Sequence, residues 1–259
     1  FDYLAHEVLA RQSEDVQNFL LRTSILSRLD SDTCDFLLMT NKSNEMLETL
    51  NRTGLFIEEL RPGVYRYHHI FQEFLLNRLQ KKPVETVELH RKIASYYTAH
   101  EYWEQAIFHL ISASDFRQMN VVLENIGSKM IQEGRHESIR YWINSIPVLV
   151  RQNYPYINYL LGEVYRYTSS FNLALESYHT VERLYRSLNN DWGISLALQG
   201  QARVYLDTIR PVNADQILQD ALQLLDPHED PQQYANLLVL TAENQLNLGN
   251  PESAEQLLD

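Results

Sequence analysis

GEVYRYTSSFNLA at 162–174, ARVYLDTIRPVNA at 202–214 and AENQLNLGNPESA at 242–254 begin 40 residues apart and share one pattern. A small residue (Gly162, Ala202, Ala242) is followed three places on by Tyr165, Tyr205 or Gln245, and twelve places on by Ala174, Ala214 or Ala254. ASYYTAHEYWEQA at 94–106 repeats the pattern out of phase, as Ala94, Tyr97 and Ala106. Self-similarity at a fixed period marks stacked helical repeats. Positions three apart share a helix face, so the small residue and the Tyr lie on one side of a first helix, and the interval to the next Ala crosses a turn. Leu110, Tyr178, Leu218 and Leu258, four places past each second Ala, and then Ala113, Val181 and Ala221 continue an apolar stripe along a second helix. Each copy therefore predicts a helix hairpin. The small residues are expected to let two helices approach, with Tyr165 and Tyr205 filling the space beside them. Stacked hairpins present a binding surface, so recognition is expected and not chemistry.

The small–Tyr–Ala spacing resembles the tetratricopeptide pattern over 155–259, with a separated copy at 88–113. The period of 40 exceeds the usual ~34, so longer helices or loops are expected to absorb the excess. An ordinary helical bundle is the alternative. At 259 residues the chain should hold about two domains, and eight Gly and eight Pro are too few for a turn-dominated fold. The single cysteine, Cys34, excludes a disulfide framework and points to a reducing compartment. No apolar run approaches the ~20 residues of a membrane span and no export signal opens the chain; a soluble, cytoplasmic protein without membrane contact is expected.

Of the net charge of −12 most lies in the second part. Residues 1–82 carry 10 Lys and Arg against 12 Asp and Glu, and residues 83–259 carry 12 against 22. After Arg210 no cation follows. Such a surface repels phosphate, so the array is not expected to bind nucleic acid; it either forms a groove for a basic or neutral partner or is simply solvated.

Residues 1–82 read differently. Apolar residues around Leu4, Phe19, Phe36-Leu37-Leu38 and Leu47 predict four short helices, with Asp2, Ser13, Ser31 and Ser43 placed as caps. Arg61-Pro62-Gly63 between Leu55-Phe56-Ile57 and Val64-Tyr65-Arg66-Tyr67 predicts a β-hairpin, and a helix from His69 to Leu79 follows. This order describes a winged helix. A recognition helix at 43–52 would present Glu45 and Glu48, with Lys42 and Arg52 as flanking cations, and Glu58 and Glu59 occupy the hairpin; direct DNA binding is not expected. Residues 83–150 are expected to be a helical connector with one repeat-like hairpin, Gly134 ending a helix with positive φ and Trp103 and Trp142 in its core, leaving 151–259 to the array. The expected fold class is mainly all-α: a winged-helix domain followed by a tetratricopeptide-like α-α superhelix.

Phe1-Asp2-Tyr3-Leu4, Phe19 to Leu26, Gly54-Leu55-Phe56, Tyr65-Arg66-Tyr67-His68-His69-Ile70-Phe71 and Leu89-His90-Arg91-Lys92 together resemble the MalT-like large ATP-binding regulators of the LuxR family. The resemblance implies a nucleotide-binding domain upstream and a DNA-binding helix-turn-helix downstream. None of the eight Gly here is followed by Lys, so no phosphate-binding loop is present; no cofactor is expected in this chain, while ATP or ADP is implied for the intact protein. The chain is thus expected to be a central piece of a larger regulator, its last residues starting a repeat without finishing it. The resemblance implies that His68 senses the β-phosphate of ADP in the intact protein; otherwise His68 and His69 merely cap the hairpin. It also places Tyr159, Glu163, Arg166, Gln199, Arg203 and Glu243 on a concave wall for a small-molecule inducer or a regulatory protein. A constitutive scaffold holding a peptide or a second copy of the chain is the alternative. No catalytic or metal site is expected: Cys34 reads as a buried thiol, and His90, His100 and His109 fall on separate helices with no shared ligand geometry.

Overall fold

The computed structural model describes residues 7–54 and 56–258; Asp2, Leu4, the Phe1–Leu4 run and Leu55 lie outside the described residues. The chain divides into two compact units, 1–119 and 120–259, so the changes of pattern at 82 and 150 fall within units.

In the first unit, α1 (Glu14–Thr23), α2 (Ser31–Leu38) and α3 (Ser43–Arg52) precede β1 (Ile57–Arg61), β2 (Val64–Tyr67) and α4 (His69–Leu79). Ser13 caps α1, its hydroxyl accepting from the Val16 N–H. The cap of α2 is Asp30 and not Ser31, because the carboxylate takes both the Thr33 N–H and the Thr33 hydroxyl, at 2.8 and 2.9 Å. Ser43 is no cap either: it is already the first residue of α3, and its N–H is taken by Asp35 from α2. The hairpin turns at Pro62-Gly63, where Gly63 has φ 76°, and Leu29 exchanges both backbone bonds with Tyr65 at 2.8 Å, adding a third short edge to the wing. Leu20, Leu29, Leu37, Leu47, Phe71 and Leu75 form the core. Phe56 stacks on Phe71 at 3.8 Å, and the buried Tyr67 hydroxyl meets Thr23 at 2.6 Å. This is a winged helix. The helices α5 (Pro83–Ala99) and α6 (Trp103–Ser112) then pair as a hairpin in the same unit, with Ala94 and Ala106 buried between them.

The division between units falls inside α7 (Phe116–Gln132). Next come α8 (His136–Ser145) and the short α9 (Val148–Arg151), then the array: α10 (Pro155–Tyr167) with α11 (Phe171–Ser187), α12 (Asp191–Asp207) with α13 (Pro211–Gln223), and α14 (Pro231–Asn247) with α15 (Pro251–Leu258). Within the array each helix packs on the next. Pro155, Pro211 and Pro231 open helices at the position where a missing N–H costs nothing. The second-helix stripe is buried as the spacing predicts, through Ala174, Val181, Ala214, Leu218, Ala221 and Ala254, apart from Leu258, which is exposed. The tetratricopeptide-like superhelix is therefore present.

The recurring Tyr has a different part from the one expected. Tyr165 and Tyr205 are only half-buried, and the space beside Gly162 belongs to the ring of Tyr178 from the second helix. Tyr165 and Tyr205 instead sit one turn before the hairpin bend, where their carbonyls accept the N–H of Ser170 and Arg210 at 2.8 Å; Tyr97 does the same for Tyr102 and Gln245 for Asn250. These bonds span five residues and close a Schellman turn, which needs a left-handed residue just before the donor. Glu101, Ser169, Ile209 and Gly249 occupy it, with φ of 60°, 57°, 57° and 83°. Trp103 departs too: it is half-buried at the start of α6, whereas Trp142 is in the core.

Ile209 is the costly member of that set, β-branched in the left-handed region and 88 % exposed. Exchange for glycine removes a penalty of roughly 1–2 kcal/mol per residue and gives back part of it as chain entropy. Ile209→Gly is expected to raise the unfolding free energy by about 1 kcal/mol, read from the urea midpoint; an unchanged or lower midpoint would show the turn to be unstrained.

Candidate functional site

The six residues that the resemblance assigns to a concave wall stand on first helices of the array. Tyr159, Glu163 and Arg166 follow at helical spacing on α10, and Gln199 and Arg203 on α12. Glu163 is the hub. It is 7 % exposed, accepts Arg166 Nη2 at 3.1 Å and the Tyr178 hydroxyl at 2.5 Å, and lies 3.9 Å from Arg203 Nη1. Arg166 also reaches across to Asp207 at 3.0 Å. Two acids and two arginines thus neutralise one another, which offsets the cost of taking these charges out of water. Burial first, and then the charge of Glu163, push the phenols of Tyr159 and Tyr178 above their usual range. Tyr178 therefore stays protonated and donates.

Of these six residues, Tyr159, Glu163, Arg166 and Arg203 come together in this network. Tyr159, Glu163 and Gln199 are buried, where the helices α10 and α12 pack together. Gln199, one turn before Arg203, leaves its amide Nε2 without a hydrogen-bond partner. Glu243 on α14 is exposed and outside the cluster. The sequence reading missed Tyr178 and Asp207. Tyr178 fits the apolar stripe and nothing marks its hydroxyl; Asp207 meets Arg166 over 41 residues, beyond any local signal.

In the first unit His68 precedes α4 with its ring exposed and makes no side-chain cap bond; its N–H is held by the Phe56 carbonyl at 2.8 Å. Arg66 is committed to Glu58 across the hairpin. On α3, Glu48 accepts from both Asn44 and Arg52, so the flanking cation faces an acid of its own helix. Cys34 is buried, and burial pushes its thiol further up from reactivity. His90 on α5 and His109 on α6 stand on separate helices, yet their Nδ1 atoms meet at 2.8 Å, both rings buried, because the antiparallel hairpin faces residues 19 apart. Burial lowers His90 to about 4 and, with the neighbouring His90, lowers His109 to about 3. His100 is separate, bonded to the Tyr96 carbonyl.

The geometry can be set beside known proteins. Residues 5–87 match the MalT winged helix domain family. The chain is MalT-like. It is 27 % identical over 88 % of its length to the HTH-type transcriptional regulator MalT of Vibrio campbellii and 25 % identical over 87 % to that of Vibrio parahaemolyticus. In each case it spans about a quarter of the relative's length, 26 %. Among solved structures, a signal transduction ATPase with numerous domains, carrying a tetratricopeptide repeat sensor, from Pyrococcus horikoshii matches 99 % of this chain and 45 % of its own at 14 % identity and a TM-score of 0.54; that likeness concerns the fold. The MalT-like winged helix thus leads along the chain into a tetratricopeptide-like array. Among the described residues no helix is long and apolar enough to cross a membrane.

Proposed function

We propose that this chain is the regulatory segment of a larger ATP-dependent, LuxR-family transcription regulator, in which the array binds an inducer or a regulatory protein and so shifts the intact molecule between closed and open states. The observation that carries it is a similarity to MalT that runs through 88 % of the chain, past the winged helix and well into the repeats. The inner face of the array supports a receiving role, since Gln199 keeps a buried amide unpartnered there and an unmet polar group is costly unless something completes it. A ligand moves the equilibrium only through unequal affinity for the two states. In this reading the chain catalyses nothing itself and acts in the cytoplasm; ATP or ADP is held by an upstream domain, with His68 facing the phosphate. DNA is contacted elsewhere, in keeping with the acids of α3 and the hairpin.

Reading the gene on both sides of these residues tests the proposal. A phosphate-binding loop upstream and a helix-turn-helix downstream are expected. A gene encoding neither would leave the scaffold alternative in its place.

A further inference from the structure

We propose a second ligand site, in the first unit and independent of the array, that takes a small organic oxyanion carrying a flat apolar body. A cavity of about 540 Å3 opens between the α1–α2 loop, the wing and the α5–α6 bend, within the usual range for small-molecule sites. Arg28 from the loop and Arg61 from the wing line it. Both are exposed, and among the described residues neither guanidinium has an ion-pair or hydrogen-bond partner.

The acids in the same lining make the point sharper. Asp30 and Asp32 also face the cavity, yet neither pairs with an arginine. Asp30 is spent on the cap of α2, both oxygens bound by Thr33, and Asp32 lies in the first turn of that helix, where the dipole offsets its charge. The arginines therefore keep their donors for something else. Guanidinium forks match carboxylate and phosphate oxygens. Tyr96, Tyr97 and Tyr102 add aromatic wall, the rings of Tyr97 and Tyr102 edge to face at 6.2 Å, and Ser27, Thr33, Val64 and the exposed Gln105 complete the lining. Aromatic faces next to paired cations suit a planar organic anion better than a bare inorganic one.

The test is isothermal titration of the 259-residue chain with phenyl phosphate and, separately, with phenylacetate, against sodium chloride of equal ionic strength. Saturable binding of at least one probe is expected, and the one bound more tightly tells phosphate from carboxylate. Arg28→Gln with Arg61→Gln should raise Kd at least fivefold, as should Tyr102→Ala. All three side chains are exposed, so the variants should keep the parent's circular dichroism. No saturable binding of either probe, or a rise under fivefold in the arginine double variant, overturns the proposal.

Discussion

Tyr178→Ala is expected to destabilise the second unit by about 3–5 kcal/mol, the usual loss for a buried aromatic, in urea unfolding followed by circular dichroism. The side chain is fully buried. Its ring lies against two helices that both present glycine: a Cβ on Gly162 or Gly200 would stand 2.6 or 2.5 Å from it. Neither glycine has a side chain to fill the cavity left behind, so the site cannot collapse cheaply. Tyr178 also joins the two helices of its own hairpin chemically, through its hydroxyl on Glu163. Tyr178→Phe keeps the packing and removes only that bond to a charged partner, for which a loss of about 1.5–3 kcal/mol is expected. A cost under about 1 kcal/mol for the alanine variant would mean that α10, α11 and α12 do not share one interior.

The second large effect is acid sensitivity of the first unit. His90 and His109 are held neutral by burial, near 4 and 3, against an ordinary value of 6.5. A histidine whose pKa is depressed on folding binds fewer protons folded than unfolded, so stability is present above 6.5 and declines as pH falls from there toward the folded values. Between pH 7 and 5 the unfolded chain gains about 1.5 protons on these two side chains, and holds close to two by pH 5, while the folded pair takes up almost none, which amounts to roughly 3–4 kcal/mol. The lowered carboxylates Glu85 and Glu182 act in a different window, below their ordinary 4.5. Unfolding free energy measured at pH 7, 6 and 5 should fall steeply in the parent and much less in the double variant His90→Gln, His109→Gln. Equal slopes would contradict the pairing. Tyr97, stacked on His109 at 5.6 Å, couples the same cluster to the wall of the cavity beside Arg28 and Arg61.

Much of this architecture is legible in local patterns. The helix His69–Leu79, the hairpin at Pro62-Gly63 and the left-handed Gly134 all stand where periodicity and turn chemistry put them, because each depends on residues a few places apart. The array follows from a stripe of small and apolar residues that only a helix can align. What the pattern hides is set by distance along the chain. Ser31 and Asp30 are both competent caps, and only the geometry of Thr33 selects between them. Ile209 carries no sign of a left-handed turn that Gly249 advertises at the same place in its repeat. The cluster around Glu163 was half legible: helical spacing puts Glu163 with Arg166, but the links to Tyr178, Arg203 and Asp207 cross between helices. His90 and His109 look unrelated for the same reason.

Burial around Glu163 limits which substitutions can separate signalling from folding. Glu163, Tyr159 and Gln199 are too buried to change without loss of stability. Arg203, with a side chain 33 % exposed and its nearest acid at 3.9 Å, and Glu243, exposed on α14, can be changed at a cost of about 1 kcal/mol or less. The decisive measurement is induction of a target-promoter reporter by the intact regulator carrying Arg203→Ala and Glu243→Ala, alongside the thermal midpoint of the 259-residue chain. Loss of most of the induction with a midpoint within a few degrees of the parent is the predicted result. Full induction, or a loss that tracks a collapse of the midpoint, would contradict an array that receives the signal.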